Sequence, residues 1–199
     1  MPEEEKILSK LKTFILSYCP ISNEAFQLVA NIAEFQKLER NEVLLSMGQV
    51  SKKLYYIHNG ALIAYFTDAH GNTYNKNIFM EDHFAGSTVS ALLNTPSEFT
   101  LQAIEDTSVL CLNHQQYKKL IYSNEELKNF YIAYLEKNWV IEKEQREISI
   151  VMQDASTRYE KLLNKYPDID KRIPLQHIAS NLGITPTQLS RIRKKLKEK

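Results

Sequence analysis

The chain has 199 residues, a formal net charge of +1, 43% apolar residues and 25% charged residues, a composition that excludes a disordered chain. At about 150 residues per domain, this length predicts one large or two small domains. No purely apolar run is longer than the six residues of 61–66, which is too short for a membrane span. The N-terminus is acidic rather than a secretory signal, and Cys19 and Cys111 are no disulfide framework, so we expect a cytoplasmic protein without a membrane partner.

The first 30 residues predict two amphipathic helices, 4–18 and 23–30, the second capped by Ser22. The period then changes to that of short strands. The predicted strands are 35–38, 43–45, 54–58, 61–66, 73–80, 98–104 and 107–112. Asn59-Gly60 is typical of a type I′ hairpin turn, and a loop with one helical turn, 83–96, interrupts the series. Short strands spaced by about 8–12 residues predict an antiparallel sandwich or barrel.

From Asn113 the chain is predicted to be helical to its end. A helix over 115–122 precedes a long one that begins at Ser123 or Asn124 and would measure about 42 Å for about 28 residues. Its apolar residues recur every seven positions, the spacing of a coiled-coil seam. They are Leu127, Tyr134, Ile141 and Ile148. We expect this seam to form a homodimer while Leu135 and Trp139 face the sheet; packing of the seam itself on the sheet is the alternative.

The C-terminal segment carries the most specific pattern of the chain. A short helix with an apolar face, 176–182, ends at Gly183, which favours the left-handed conformation of a turn. A second helix begins at Thr185 and Pro186, a capping residue followed by proline at the first helical position. It has a buried stripe and a polar, basic face. The pattern predicts a helix-turn-helix whose second helix enters a DNA major groove, and a helical corner with a solvated charged face is the alternative.

Charge is distributed unevenly along the chain. Residues 153–199 hold 11 Lys and Arg against 5 Asp and Glu, whereas residues 1–152 hold 14 against 19. This asymmetry predicts a polyanionic partner, double-stranded DNA, for the C-terminal part only. Gln188 and Arg191 suit adenine and guanine edges, and the other cations suit phosphates. The predicted DNA contacts are Thr185, Thr187, Gln188, Ser190, Arg191, Arg193, Lys194 and Lys195.

The order of sandwich, inserted loop, long helix and helix-turn-helix resembles the CRP/FNR family of bacterial transcription regulators, over about Ile21 to Lys199. The resemblance is carried by 56–60 (Tyr-Ile-His-Asn-Gly), 84–86 (Phe-Ala-Gly) and 178–194. It implies an α+β chain with a cyclic-nucleotide-binding-like β-roll over 1–122, a dimerisation helix over 123–152 and a helix-turn-helix domain over 153–199. It also implies a non-enzymatic homodimer on a palindromic operator, and it leaves RNA polymerase open as a further partner.

The inserted loop departs from the family members that bind cyclic nucleotides. In those members a Glu after the loop's first Gly holds the ribose and a later Arg holds the cyclic phosphate, whereas here Ser87 follows the Gly and Ser97-Glu98 replace the Arg pair. Residues 87–100 include no Lys or Arg, so an anion would depend on N–H groups and hydroxyls, which bind it less strongly than a charged partner. We therefore expect no cyclic nucleotide and no other cofactor, and the effector is unknown. The predicted effector pocket consists of Gly86, Ser87, Thr88, Ser97 and Glu98.

Two other functions compete with DNA binding. One is an effector-binding β-barrel module that acts on protein partners. The other is a cupin-like metal-dependent barrel, which requires clustered His and Glu ligands. The five histidines show no His-x-His or other ligand pairing, so no metal site and no catalytic site are predicted. Within the regulator reading, the operator is expected to differ from that of cyclic-AMP-type members, which carry Arg-Glu where this chain has Pro186-Thr187.

Overall fold

A computed structural model of the chain describes residues 3–71 and 73–198. The strands are β1 (Ala33–Leu38), β2 (Val43–Leu45), β3 (Lys53–Asn59), β4 (Leu62–Thr67), β5 (Thr73–Phe79), β6 (Phe84–Ala85), β7 (Thr100–Ala103) and β8 (Thr107–Asn113). The helices are α1 (Glu3–Leu16), α2 (Asn23–Ala30), α3 (Thr88–Leu93), α4 (His114–Ser123), α5 (Glu125–Leu135), α6 (Glu142–Met152), α7 (Ala155–Lys165), α8 (Ile169–Arg172), α9 (Leu175–Asn181) and α10 (Pro186–Lys197). A π-helical segment, Glu136–Ile141, joins α5 to α6. The predicted α+β fold is confirmed.

The strands form two antiparallel four-stranded sheets, in the orders β1-β8-β3-β6 and β2-β7-β4-β5. Side chains alternate across each strand, so Tyr55 and Ile57 of β3 join the apolar cluster between the sheets, while Tyr56 packs with the helices α1, α4 and α5. In β4, Leu62 faces the same interior and Ile63 faces outward. Both are buried, because the C-terminal helices cover the outer face, and this explains why residues 61–64 are apolar on both faces of the strand.

Asn59 and Gly60 do not form the predicted type I′ hairpin. β3 and β4 lie in different sheets, so the chain crosses between the sheets at this point. Of the two residues only Gly60 has a positive φ, +98°. A Cβ on Gly60 would lie 2.7 Å from the Cα of Thr107 and 2.8 Å from the carbonyl oxygen of Asp106. Glycine is required because another part of the backbone approaches closely, in addition to the positive φ.

Replacing Gly60 with alanine is expected to lower the free energy of unfolding by about 2–4 kcal/mol, because backbone strain adds to a steric clash. Urea denaturation measures this loss. Gly48→Ala is the matched control, since Gly48 has a φ of +90° but no atom within 4 Å of its added Cβ. It should cost only the strain of about 1–2 kcal/mol. Equal losses in the two variants would contradict the close approach at Thr107.

The long helix begins where the sequence predicts but is not α-helical throughout. Asn124 caps it, and its side-chain oxygen accepts a hydrogen bond from the Leu127 N–H at 3.0 Å. The π-helical segment then interrupts it before α6. A π turn contains more residues than an α turn. The residues after this segment are therefore rotated relative to those before it, and a seven-residue repeat cannot stay on one face.

The prediction that Leu127 and Tyr134 belong to a dimer seam is wrong. Leu127 is fully buried, and Tyr134 is buried among aromatic residues of the chain's own core, where its hydroxyl accepts the Phe84 N–H at 3.1 Å. Beyond the π-helical segment, Ile141 and Ile148 are 51% and 53% exposed. Leu135 and Trp139, predicted to face the sheet, line a small cavity between α3, α4 and the strand residues Leu54 and Phe84, and Trp139 is 39% exposed.

The C-terminal unit, α7 to α10, packs on the outer face of the sheet that contains β4 and β5. Its buried side chains share one apolar cluster with that sheet. The members are Ala61, Ile63, Met80 and Ile104 from the sheet side, with Tyr159, Ile169, Ile173, Ile178, Ala179, Leu182 and Leu189 from the C-terminal unit. Polar contacts accompany them: the Asn75 N–H of β5 donates to the Ser180 hydroxyl at 2.8 Å, and the Asn75 amide donates to the His177 carbonyl at 3.1 Å. The unit is docked rather than separate.

Candidate nucleic-acid interface and effector cassette

The start of α10 is fixed by a reciprocal pair of hydrogen bonds. The Thr185 hydroxyl accepts the Gln188 N–H at 3.2 Å, and the Gln188 side chain accepts the Thr185 N–H at 2.8 Å. Pro186 occupies the first helical position, where no N–H is needed, and Gly183 makes the preceding turn with a φ of +69°. The predicted cap, turn and helix are confirmed, so α10 leaves the turn in a defined direction.

One face of α10 is buried and the other is free. Leu189 is fully buried in the C-terminal unit, and Ile192 and Leu196 are half-buried beside it. The opposite face is exposed and basic. Its exposed residues are Thr185, Thr187, Gln188, Ser190, Arg191, Lys194 and Lys195. A rigid helix with a cationic, hydrogen-bonding face of this kind has the shape and charge of a major-groove reader.

Arg193 differs from the other predicted DNA contacts. It is half-buried, its Nε donates to the Tyr159 hydroxyl at 3.0 Å, and its guanidinium is paired with Asp170. The Tyr159 hydroxyl also bonds to Asp170. The prediction of Arg193 as a phosphate contact is therefore wrong in this structure, because the side chain holds α10 against α7 and α8 instead.

Arg172 ties the C-terminal unit to two loops of the sheets. Its guanidinium lies 2.6 Å from carboxylate oxygens of both Glu81 and Glu105. The Gly60 N–H donates to Glu81 at 2.9 Å. Burial raises the pKa of Glu81, but the hydrogen bonds from Arg172 and from Gly60 outweigh it, and the net pKa is below the ordinary value of 4.5. No sequence pattern predicts this cluster, because its members are far apart along the chain.

Replacing Arg172 with methionine leaves two facing carboxylates and should therefore lower the free energy of unfolding by about 1–3 kcal/mol at pH 7. The loss should be smaller than for a fully buried ion pair, because the three side chains are partly exposed. A depressed carboxyl pKa stabilises the folded chain above the ordinary pKa, and this contribution is lost as the pH falls through the folded one. The difference between wild type and variant should therefore shrink below pH 4.5. Urea denaturation across pH tests this, with exposed Lys171→Met as the control. A pH-independent difference would contradict the ion-pair explanation.

The predicted effector residues lie on one segment but are not arranged around an open site. Ser87 and Ser97 are 3% exposed. The Ser97 hydroxyl donates to the Phe99 carbonyl at 2.8 Å, and its backbone N–H donates to the Gln49 carbonyl at 2.8 Å. Gly86 is buried against β3, whereas Thr88 is half-buried at the start of α3 and Glu98 is exposed. Ser97, where the family places a phosphate ligand, is occupied in closing its own loop.

Cations near this segment come from elsewhere in the chain. Lys76 of β5 lies over the Phe99 ring at 4.2 Å, and burial lowers its pKa. Lys52 and Lys53 line a cavity of about 430 Å³ at the mouth of the roll, which Ser87 and Ser97 do not line. Sequence patterns do not point to these lysines, because only the strand pairing brings them close to the inserted loop. The pocket as predicted, with Gly86, Ser87 and Thr88 beside Ser97 and Glu98, remains a hypothesis.

Residues 3–71 and 73–198 contain no group of three or more His, Cys, Asp or Glu side chains placed to hold a metal ion. In the same ranges, no helix combines the length and the apolar character that a bilayer span requires.

A family model described as "Cyclic nucleotide-binding domain" matches residues 35–124. The match covers the two sheets, the inserted loop and α4. None of the curated protein sequences matches the chain.

Solved structures of bacterial regulators share the architecture. FixK2 from Bradyrhizobium japonicum is 17% identical with a TM-score of 0.68, covering 84% of this chain and 85% of its own. CLP from Xanthomonas campestris, described as a c-di-GMP responsive global regulator, is 12% identical with a TM-score of 0.67, covering 89% and 92%. The catabolite activator protein of Thermus thermophilus is 18% identical with a TM-score of 0.52, covering 89% and 84%. At these identities the likeness establishes a shared fold.

Proposed function

We propose that this chain is a dimeric, sequence-specific DNA-binding regulator in the cytoplasm and not an enzyme. The proposal starts from the match to a cyclic nucleotide-binding domain and from the fold that the chain shares with CRP/FNR-type transcriptional regulators. We divide it into a sensor domain over 1–122, a dimerisation helix over 123–152 and a DNA-binding domain over 153–199. Met1, Pro2 and Lys199 lie outside the described residues.

The observation that supports the proposal most is the exposed face of α10. A capped helix packs through Leu189 and presents Gln188, Arg191, Lys194 and Lys195 to solvent. Arg191 has the fork that matches a guanine edge, and the lysines suit phosphates. The Gln188 oxygen accepts the Thr185 N–H, which leaves the Gln188 NH₂ group to donate to a base. α10 contains no Asp or Glu before its C-cap, Glu198. A helix that binds the DNA polyanion requires this lack of carboxylates, whereas a helix that binds a protein partner does not.

A homodimer follows from the geometry that DNA requires. Two reading helices must be about 34 Å apart to enter successive major grooves of a palindromic site. From the end of the π-helical segment through α6, an apolar seam is exposed and available for a second copy. Its members are Ile141, Ile148 and Met152, spaced by seven and four positions, with Val151 beside them. RNA polymerase is a partner that this proposal leaves open.

We expect the effector not to be cyclic AMP or cyclic GMP. Residues 87–100 include no Lys or Arg, and the Ser97 hydroxyl already donates to the Phe99 carbonyl. Isothermal titration of either cyclic nucleotide should show no saturable binding tighter than about 1 mM. Saturation in the micromolar range would contradict this expectation.

The direct test of DNA binding is the salt dependence of affinity for duplex DNA. The full chain should bind mixed duplex fragments at low salt, and the logarithm of the binding constant should fall linearly with the logarithm of salt concentration, with a slope set by the number of phosphates contacted. Fluorescence anisotropy measures both. A lack of binding at low salt would favour the alternative, a sensor module that acts on protein partners.

A further inference from the structure

A cavity of about 560 Å³ lies where the sheet, the long helix and the C-terminal unit meet. It is lined by β5, α6, α7 and the turn after α9. Four cationic side chains line it, Arg146, Arg158, Lys161 and Lys165, against a single carboxylate, Glu142. Because Glu142 is paired with Lys165 at 3.2 Å, the remaining three cations face the cavity without a compensating acidic group in its lining.

The two arginines make only carbonyl contacts. Arg146 donates to the carbonyls of Lys76 and Asn181 at 3.3 and 3.4 Å, and Arg158 donates to those of Gln153 and Leu182. Neither forms a salt bridge with a carboxylate of the described residues. Burial lowers the pKa of Arg146. Burial of a guanidinium without a salt-bridge partner is costly, and an anion beside Arg146 would offset that cost.

A further hydrogen-bond donor at this site has no partner. The Nε of Arg158 is buried and makes no hydrogen bond in the described part of the chain. A buried N–H without an acceptor is rare in folded proteins. Arg158, which lines the cavity, therefore has one guanidinium N–H without an acceptor.

The apolar part of the lining indicates the size and class of the ligand. Ile78, Ile150, Leu162 and Ile169 contribute hydrocarbon surface next to the cations. Sites for small molecules are typically about 300–1000 Å³ and combine apolar walls with a few polar anchors. Arginine pairs bind phosphate oxygens in a bidentate manner. We propose that this cavity binds a small organic phosphate that carries two or more negative charges.

Such a ligand would contact all the parts that must move together for regulation. It would join Arg146 of the long helix to Arg158 and Lys161 of α7, beside the turn at Asn181 that leads to α10. This regulatory role rests on the proposed DNA-binding function. The ligand then favours the docked position of the C-terminal unit because it binds only when the three parts are together.

Isothermal titration of the full chain tests the site with three probes: inorganic pyrophosphate, 5′-GMP and fructose 1,6-bisphosphate. We expect at least one organic probe to bind one per chain with a dissociation constant below about 1 mM. Arg146→Met with Arg158→Met should weaken it by about tenfold or more, and Lys161→Met, which removes an exposed charge that does not support folding, should weaken it by about threefold. The matched control is Lys143→Met, which lies on α6 like Arg146 but does not line the cavity, and it should leave binding unchanged.

The proposal is overturned if no organic probe binds below about 1 mM, or if the single and double variants bind the probes as tightly as the Lys143→Met control. It is also overturned if the probes fail while the variants lose affinity for duplex DNA, because the cations then contact nucleic acid. Because the titration contains no DNA, its failure is distinguishable from failure of the DNA-binding proposal, which is measured without any phosphate probe.

Discussion

Ile148→Glu is expected to yield a monomer that binds a two-half-site duplex about 100-fold or more weaker than the wild-type chain. Ile148 lies 53% exposed in the middle of the apolar seam of α6, so a carboxylate there would be buried at the interface between two copies. Two reading helices on one dimer gain about 10²–10⁴ in affinity from their linkage, and a monomer loses this gain. Light scattering gives the mass, against 23.1 kDa for one chain, and a gel shift gives the affinity.

The matched control is Leu16→Glu. Leu16 is a similarly exposed apolar residue, 48%, but it lies at the end of α1, away from the seam. This variant should keep the mass and the DNA affinity of the wild type. A dimeric Ile148→Glu variant would place the interface elsewhere, and candidates would then be the exposed apolar residues Leu92 and Leu93 of α3.

The second large effect is expected at Arg191. Arg191→Ala should cost about 1–3 kcal/mol of binding free energy at the operator and should relax the preference at one base pair of each half-site. Lys194→Ala should instead weaken binding to all sequences alike and reduce the salt slope by about 1. Anisotropy titrations with the operator and with a scrambled duplex separate the two effects.

Lys171→Ala controls for the loss of a positive charge. Lys171 is exposed on α8 in the same unit, is paired with Asp168 and lies outside α10. Its affinity for both duplexes should match the wild type. An Arg191→Ala variant that loses affinity equally for operator and scrambled DNA would contradict base reading by this residue and would assign it to the phosphates.

The fold of the C-terminal helices could be predicted because its determinants are local. Thr185, Pro186 and Gly183 fix the ends of two helices through hydrogen bonds and dihedral angles that involve neighbours in sequence. The strands were equally accessible, since alternation is a local property. The type of each element and its approximate ends follow from such patterns without knowledge of the rest of the chain.

The pairing of elements was not accessible in the same way. Asn59-Gly60 fits a hairpin locally, yet the chain crosses between the sheets there, and Thr107 from a distant part of the chain lies against Gly60. The seven-residue repeat of the long helix is interrupted by the π-helical segment, Glu136–Ile141, and no sequence pattern in that segment predicts a π-helix. Leu127 and Tyr134, which precede this segment, are buried in the chain's own core, whereas Ile141 and Ile148 are exposed.

The candidate site shows the same division. Which residues of α10 are exposed could be read from its buried stripe, with the exception of Arg193, whose partner Asp170 lies on another helix. The ion pairs of Arg172 and the cavity beside Arg146 and Arg158 depend on the docking of the C-terminal unit on β5. No periodic sequence pattern predicts that docking.

Selection of bound duplexes from a random pool tests DNA reading by a symmetric pair of α10 helices most directly. The purified full chain should enrich inverted repeats whose half-site centres are about 10–10.5 base pairs apart, the spacing of two reading helices on one face of the duplex. Enrichment of a single unrepeated site, or a final pool no different from the starting one, would contradict it.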